Sequence, residues 1–255
     1  MQHQPRKRFG QHFLHDRQVL ENIVTAIHPQ KEDNMVEIGP GKGALTFPLA
    51  EHLNQLAVVE LDRDLISQLE TSGKSLTIHN ADALKFDFAL LAEKPHSLRV
   101  VGNLPYNIST PLIFHLLKQA EKIKDMHFLL QKEVVDRLAA NPGGKVFGRL
   151  SVMVQYDCKV EKLFTVSPGA FSPPPKVNSA LIRLTPWLEP PAKTNNYQQF
   201  SRIVKTAFSQ RRKTLRRSLK GLIHERQFID AEIDSGLRPE QISVADFVSL
   251  SNQPQ

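Results

Sequence analysis

Asn103-Leu104-Pro105-Tyr106, entered from the apolar run Leu98-Arg99-Val100-Val101-Gly102, holds the residue types with the most specific chemistry in this chain. An Asn side-chain oxygen beside a backbone carbonyl, stiffened by Pro105, offers two acceptors matched to the two hydrogens of an exocyclic amino group. Tyr106 adds an aromatic face for a flat base. These features describe a pocket for an adenine N6. Taken alone, the same residues also suit a turn that ends a strand.

A second constellation lies upstream in Val36-Glu37-Ile38-Gly39-Pro40-Gly41-Lys42-Gly43-Ala44-Leu45-Thr46. The apolar run from Met35 to Ile38 breaks into glycines and then into a helical pattern at Leu45, Leu49 and Leu53, so a first strand turns into a first helix around a ligand. Gly39 and Gly41 would bring the backbone close to a nucleotide-like cofactor. Gly39, Gly41 and Ala44 fit a dinucleotide fingerprint as well, and a purely structural glycine turn is a third reading. Glu60 closes the run Leu56 to Val59 about twenty residues on, where a carboxylate can accept both hydroxyls of a ribose. Asp82 follows Leu76 to Ile78 and could accept from an adenine amino group. Either acid singly would suit a cap or a solvated loop. In sequence, four strand ends carry the glycine loop, Glu60, Asp82 and Asn103, and an open parallel sheet binds its ligand beyond such ends.

These motifs, with Arg8 to Leu14, Glu60-Leu61-Asp62, Asp82-Ala83, Asn107 to Thr110, Gln131 to Val134, Phe171 to Val177 and Phe208 to Leu215, resemble the ribosomal RNA adenine dimethylases from residue 8 nearly to the end. The resemblance implies S-adenosylmethionine as methyl donor and N6-dimethylation of two adjacent adenosines near the 3′ end of small-subunit ribosomal RNA, within an assembling subunit. It implies an N-terminal arm, residues 1–14, closing over the cofactor with contacts from His12, where many relatives carry Asn, and from Leu14. It adds Ala83 and Asn103 to the cofactor contacts. Phe171, on a loop stiffened by Pro173-Pro174-Pro175, resembles a second aromatic wall for the base, although a simple core phenylalanine is the competing reading.

The elements that must position these residues follow from periodicity. Short β-rich runs alternate with helical stretches from Asn34 to about Leu184. The runs ending in the four motifs are joined by Met126 to Leu130, Lys159 to Val166 and Val177 to Leu184, so about seven strands with interleaved helices predict a doubly wound α/β sheet. Thr185-Pro186-Trp187-Leu188-Glu189-Pro190-Pro191 resists both helix and ladder, and helical patterning follows it. The expected architecture is a catalytic, cofactor-binding domain over residues 1–186 and a small all-α domain over 187–255. The resemblance implies the same arrangement, a Rossmann-like class I methyltransferase sheet with a small helical domain.

Charge assigns the second domain a partner. The chain has 33 Lys and Arg against 26 Asp and Glu, and no acid occurs between Glu189 and Glu225. A helix from about Tyr197 to Ile223 would place Val204, Phe208, Leu215, Leu219 and Leu222 on one stripe. The remaining face, with Arg211, Arg212, Lys213, Arg216 and Lys220, reads as an RNA-phosphate surface. An ordinary solvated face and an anionic membrane surface are the weaker alternatives.

At 255 residues and 40% hydrophobic content the chain can bury a substantial core. It contains no apolar run of membrane-spanning length and no signal-peptide pattern, and a cytoplasmic monomer is expected. The single Cys158 forms no internal disulfide, and no Cys, His or Asp cluster has metal-site spacing, so no metal is expected. A DNA adenine-N6 methyltransferase shares the Asn103 motif but would need a larger recognition domain. A ribosome assembly factor with methylation secondary is the alternative from another class, and a nicotinamide-dependent oxidoreductase a distant third.

Overall fold

The computed structural model of the protein describes residues 12–254. Its central sheet uses β2 (Asn34–Ile38), β3 (Leu56–Glu60), β4 (Leu76–Asn80), β5 (Leu98–Asn103), β6 (Ile123–Gln131), β7 (Cys158–Val166) and β9 (Ser179–Pro186). The strand order is β4-β3-β2-β5-β6-β9-β7, so the seven expected runs all become strands of one sheet. A separate ribbon pairs β1 (Phe13–Leu14) with β8 (Phe171–Ser172), Leu14 lying opposite Phe171.

From β4 to β6 the pairing is parallel. Parallel strands are covered on both faces, which is why β2, β3 and β5 read as near-continuous apolar runs. Val36, Val58, Val100 and Val101 are indeed fully buried. Strand order reverses between β2 and β5, and this switch point opens a crevice beyond their carboxyl ends. Closeness there depends on Gly102, where a Cβ would sit 2.6 Å from the Ile38 carbonyl oxygen. A side chain at 102 would therefore wedge apart the two strands that carry the glycine loop and Asn103.

The opposite, amino-terminal ends of the strands are held by Arg99, a charge inside the apolar run of β5. Its guanidinium donates to Asp33 at 2.6 Å, to Asp125 of β6 at 3.1 Å, and to the Ile27 carbonyl at 2.6 Å. Ile27 ends helix α1 (Arg17–Ile27), whose N-cap Asp16 accepts from the Val19 N–H. Arg99 thus ties α1, β5 and β6 together from within.

Helices α2 (Thr46–Ala50), α3 (Arg63–Glu70) and α4 (Ser109–Leu117) follow β2, β3 and β5, and α5 (Lys132–Leu138) follows β6. The chain then divides into two compact units. One contains residues up to Val135 and Glu161–Pro186; the other contains Asp136–Val160 and Trp187–Gln255. The single cut expected after Pro186 therefore needs correction, because residues 136–160 cluster with the second unit. That stretch contains α6 (Arg149–Asp157), whose Val152, Met153 and Val154 are buried. Trp187 fastens to the same helix, its backbone N–H on Asp157 O and its indole N–H on Gln155 O.

The second unit is completed by α7 (Tyr197–Ser209), α8 (Leu215–Ser218), α9 (Glu225–Asp230) and α10 (Val244–Ser251). The single helix expected over Tyr197 to Ile223 is thus broken at residues 210–214. Backbone amides of Leu215 and Arg216 donate to the carbonyls of Leu237 and Ser235 rather than to the preceding turn, which stops α7 from propagating. Val204, Leu215 and Leu219 are still fully buried, so the apolar stripe survives in two pieces. Among the described residues no helix is long and apolar enough to cross a membrane.

Candidate active site

At the switch point of the first unit the strand ends enclose a cavity of about 290 Å³. Gly39 and Gly41 adopt φ of +67° and +57°, turning the chain out of β2 in the left-handed region that favours glycine. The ring of Phe13 lies across Gly41, where a Cβ would come within 3.2 Å of it. Strand β1 thus packs directly on the loop.

Glu60, at the end of β3, is 7% exposed and lines the cavity. Its Oε1 accepts the N–H groups of Leu61 at 2.8 Å and Asp62 at 2.9 Å, and its Oε2 accepts from Gly41 at 3.3 Å. Burial pushes this carboxyl up, opposed by the three N–H donors and reinforced by the Asp62 charge. The carboxylate is therefore fixed in place before any ligand arrives. Asp82 and Ala83 line the same space, and Asp82 Oδ1 accepts the Leu84 N–H at 3.0 Å. This bond closes a turn, with no helix directly following Asp82, and it coexists with a place on the cavity wall.

Asn103 ends β5, and its Nδ2 donates to the His12 carbonyl at 3.0 Å. That bond uses one of the two amide hydrogens and fixes the side chain's orientation, and Oδ1 is its acceptor atom. Pro105 and Tyr106 continue the wall, the Tyr106 hydroxyl bonded at 2.9 Å to Ser179, a fully buried residue. Burial raises the phenol pKa, so Tyr106 stays neutral and presents a ring. The His12 imidazole stacks on it with centroids 5.6 Å apart, and His12 Nδ1 lies 2.7 Å from the Pro173 carbonyl. His12 therefore orients both pocket residues, one through its carbonyl and the other through its ring. Leu14 is buried and also lines the cavity. The rest of the arm, residues 1–11, lies outside the described residues.

Phe171 does not line this cavity. It is 2% exposed and packs in the core with Leu14, Val166 and Ala170. Pairing of β8 with β1 turns its side chain into that cluster, which favours the core-phenylalanine reading. Conversely, Glu37 joins the wall without having been singled out. It is 2% exposed, and Oε2 meets no hydrogen-bond partner among the described residues. Burial, with the Glu60 charge behind it, pushes its carboxyl up to about 8. The available signal was an acid inside a strand buried on both faces, a place where an unpaired carboxylate is costly.

Four acidic residues, Glu37, Glu60, Asp62 and Asp82, therefore line the cavity with the glycine loop. A pyrophosphate would be repelled there. A cofactor with an ammonium, a sulfonium and a ribose diol matches that donor set, the orphan Glu37 oxygen being suited to an N–H donor.

In the second unit Arg212, Lys213, Arg216 and Lys220 are exposed and, among the described residues, pair with no carboxylate. Arg211 differs from them. Its guanidinium is turned inward, donating to the carbonyls of Lys145 and Phe147 and lying 3.9 Å from the Glu240 carboxylate. Of the five residues expected to meet phosphate, Arg211 is thus the one whose guanidinium is engaged within the described chain.

The family model for ribosomal RNA adenine dimethylase matches residues 2–255. The ribosomal RNA small subunit methyltransferase A of Pseudomonas fluorescens is 58% identical over 255 residues, covering 99% of this chain and 94% of that protein. The Pseudomonas aeruginosa protein of the same name is 57% identical, covering 99% and 95%. Among solved structures, a dimethyladenosine transferase from Plasmodium falciparum superposes with a TM-score of 0.78 at 26% identity, covering 94% of this chain and 96% of that one. The 23S rRNA methyltransferase ErmE superposes at 0.76 with 25% identity, covering 94% and 98%.

Proposed function

Since the chain belongs to the ribosomal RNA adenine dimethylases, we propose that its first unit transfers methyl groups from S-adenosylmethionine to N6 of adenosine in small-subunit ribosomal RNA, with the Asn103 to Tyr106 segment as the base pocket. The enzyme is an rRNA adenine-N6 dimethyltransferase. The choice of small-subunit rRNA rests on the names of the relatives above 50% identity, since the fold is shared with a 23S enzyme. One observation carries the assignment of the pocket. The Asn103 amide donates to the His12 carbonyl, which fixes how the side chain is turned, and Asn103 and Leu104 both line the carboxylate-lined cavity.

When bound, S-adenosylmethionine supplies a methyl group on an already activated sulfonium. Glu60 would hold the ribose hydroxyls, Asp82 the adenine amino group and Glu37 the ammonium, with Gly39, Gly41, Leu14 and Ala83 shaping the wall. An adenine N6 lone pair is delocalised into its ring and is a poor nucleophile. Acceptance of both N6 hydrogens by Asn103 Oδ1 and Leu104 O favours the pyramidal nitrogen on which positive charge develops, so the bonds strengthen toward the transition state. No strong base is required. Tyr106 stacks the base and fixes the line of attack. The target nucleotide must be unstacked to reach this pocket.

Arg212, Lys213, Arg216 and Lys220 would bind the rRNA backbone. Two adjacent adenosines near the 3′ end, within an assembling subunit, are the proposed target of a cytoplasmic monomer. The test supplies labelled S-adenosylmethionine with unmethylated small subunits, naked rRNA or duplex DNA, and identifies the labelled nucleoside. Dimethyladenosine from the subunit is expected, while label confined to DNA would sink the reading. Asn103→Ala should lower kcat on saturating subunits by about 10²-fold to 10³-fold; wild-type turnover would remove Asn103 from the pocket.

A further inference from the structure

Within the second unit, Asn141-Pro142-Gly143-Gly144-Lys145-Val146-Phe147 combines two properties that rarely coincide. All but Phe147 are exposed, Val146 at 48%, and yet the backbone is lashed down at several points. The Gly143 N–H donates to the Glu240 carbonyl at 2.7 Å, and the Arg211 guanidinium caps the carbonyls of Lys145 and Phe147. The fully buried Phe147 ring packs against Phe208, their centroids 6.4 Å apart. A solvent loop with no partner gains little from such anchoring.

Its composition adds a second, independent sign. Gly144 has no left-handed φ, and a Cβ there would meet nothing nearer than the Asn141 carbonyl oxygen at 3.7 Å. Position 144 is therefore open surface, able to meet a partner closely and to be probed with a larger side chain without disturbing the described chain. Lys145 has no carboxylate partner among the described residues and stands beside Arg211, the neighbour in sequence of the unpaired Arg212 and Lys213. The loop thus adds one unpaired cation, Lys145, next to the inward-turned Arg211 and its neighbour Glu240.

We propose that residues 143–146 form an RNA-docking loop in which Lys145 takes a phosphate and the bare Gly143-Gly144 backbone with Val146 lies against a ribose edge. Arg211 is its positioning residue. A shallow RNA minor groove displays 2′-hydroxyls and excludes bulk, which suits a flat glycine surface and one small apolar side chain. One guanidinium nitrogen, Nη2, donates to both carbonyls while Nε lies 3.9 Å from the Glu240 carboxylate, so a single planar group faces loop and acid together, a geometry the point charge of Lys does not reproduce. This inference rests on the reading that the second unit binds rRNA.

The test measures binding of full-length protein to unmethylated small subunits across a range of KCl, with thermal unfolding and S-adenosylmethionine binding as controls. Lys145→Ala should weaken binding by about threefold to tenfold and reduce the slope of log K against log salt by about one. Gly144→Leu should weaken it about tenfold with the slope unchanged, since no charge is lost. Arg211→Lys keeps the charge and should still weaken binding, while a direct phosphate contact would tolerate Lys. If Lys145→Ala and Gly144→Leu both bind as wild type while Arg212→Ala weakens binding, the loop has no part and the proposal is overturned. If Arg212→Ala and Lys213→Ala are also silent, the broader reading of the second unit falls with it.

Discussion

Glu37 is the residue whose ionisation has most to say about ligand binding. Its carboxyl is pushed up to about 8 by burial, so near neutral pH the ligand-free site holds largely the acid form. An ammonium docking on Oε2 favours the carboxylate and expels the proton. Affinity for S-adenosylmethionine should therefore rise with pH below about 8 and turn over above it, where the ligand's own α-amino group loses its proton. Glu37→Gln should abolish that rise, and calorimetry in buffers of different ionisation enthalpy reads the released proton directly. For the ligand-free fold the sign is opposite. The unfolded chain loses this proton near 4.5 and the folded chain near 8, so stability falls across that window and Glu37→Gln should recover it at high pH. In the proposed pocket Tyr106 contributes its ring. Tyr106→Phe should cost about 1 kcal/mol of stability, from the lost bond to buried Ser179, and little turnover. Tyr106→Ala should cost about 1–3 kcal/mol of base stacking, read as a tenfold to hundredfold loss of kcat/KM.

Among the elements, β5 works at both of its ends. Its carboxyl end carries Asn103 and its amino end Arg99, whose side chain is 7% exposed. Burial pushes the carboxyls of Asp33 and Asp125 up, but both lie below their usual range. The Gln30 N–H and Arg99 outweigh burial at Asp33, and His127 and Arg99 do so at Asp125. Depressed carboxylates contribute stability above their unfolded pKa, so the network holds near neutrality and is lost as pH falls below about 4. Arg99→Met leaves two acids without their partner and should destabilise the fold by about 3–5 kcal/mol, measured by urea unfolding. Turnover by the folded fraction should be retained, because the reacting end of the strand is untouched. Helix α7 shows what periodicity misses. Residues 197–223 carry a continuous apolar stripe, but the amides of Leu215 and Arg216 find carbonyls at 237 and 235, partners that no local pattern announces.

Over the whole molecule, the two units carry opposite chemistry. The first lines its cavity with carboxyl groups, and the second has a run from 190 to 224 with no acid, in which Arg212, Lys213, Arg216 and Lys220 are exposed. A cationic cofactor and a polyanionic substrate are thus sorted by charge. S-adenosylmethionine at a hundred times its Kd should stabilise the protein by about 2.7 kcal/mol, visible in calorimetry as a raised transition. Arg212→Ala should leave that shift intact, since the residue belongs to the second unit.

The sheet was legible from residue types because parallel strands buried on both faces are written as apolar runs, and ligand loops as the glycines and acids that end them. Seven strands, the glycine loop, Glu60, Asp82 and Asn103 could be read in order along the chain. Burial and long-range pairing lay beyond that reading. Phe171 went to the core because β8 pairs with β1, Arg211 turned inward toward carbonyls some 64 residues away, and residues 136–160 joined the second unit. Glu37 became a site residue only once folding had removed it from water. Local chemistry determines which groups a chain can offer, whereas the partners and solvent that each group meets are set by tertiary contacts between residues far apart in sequence.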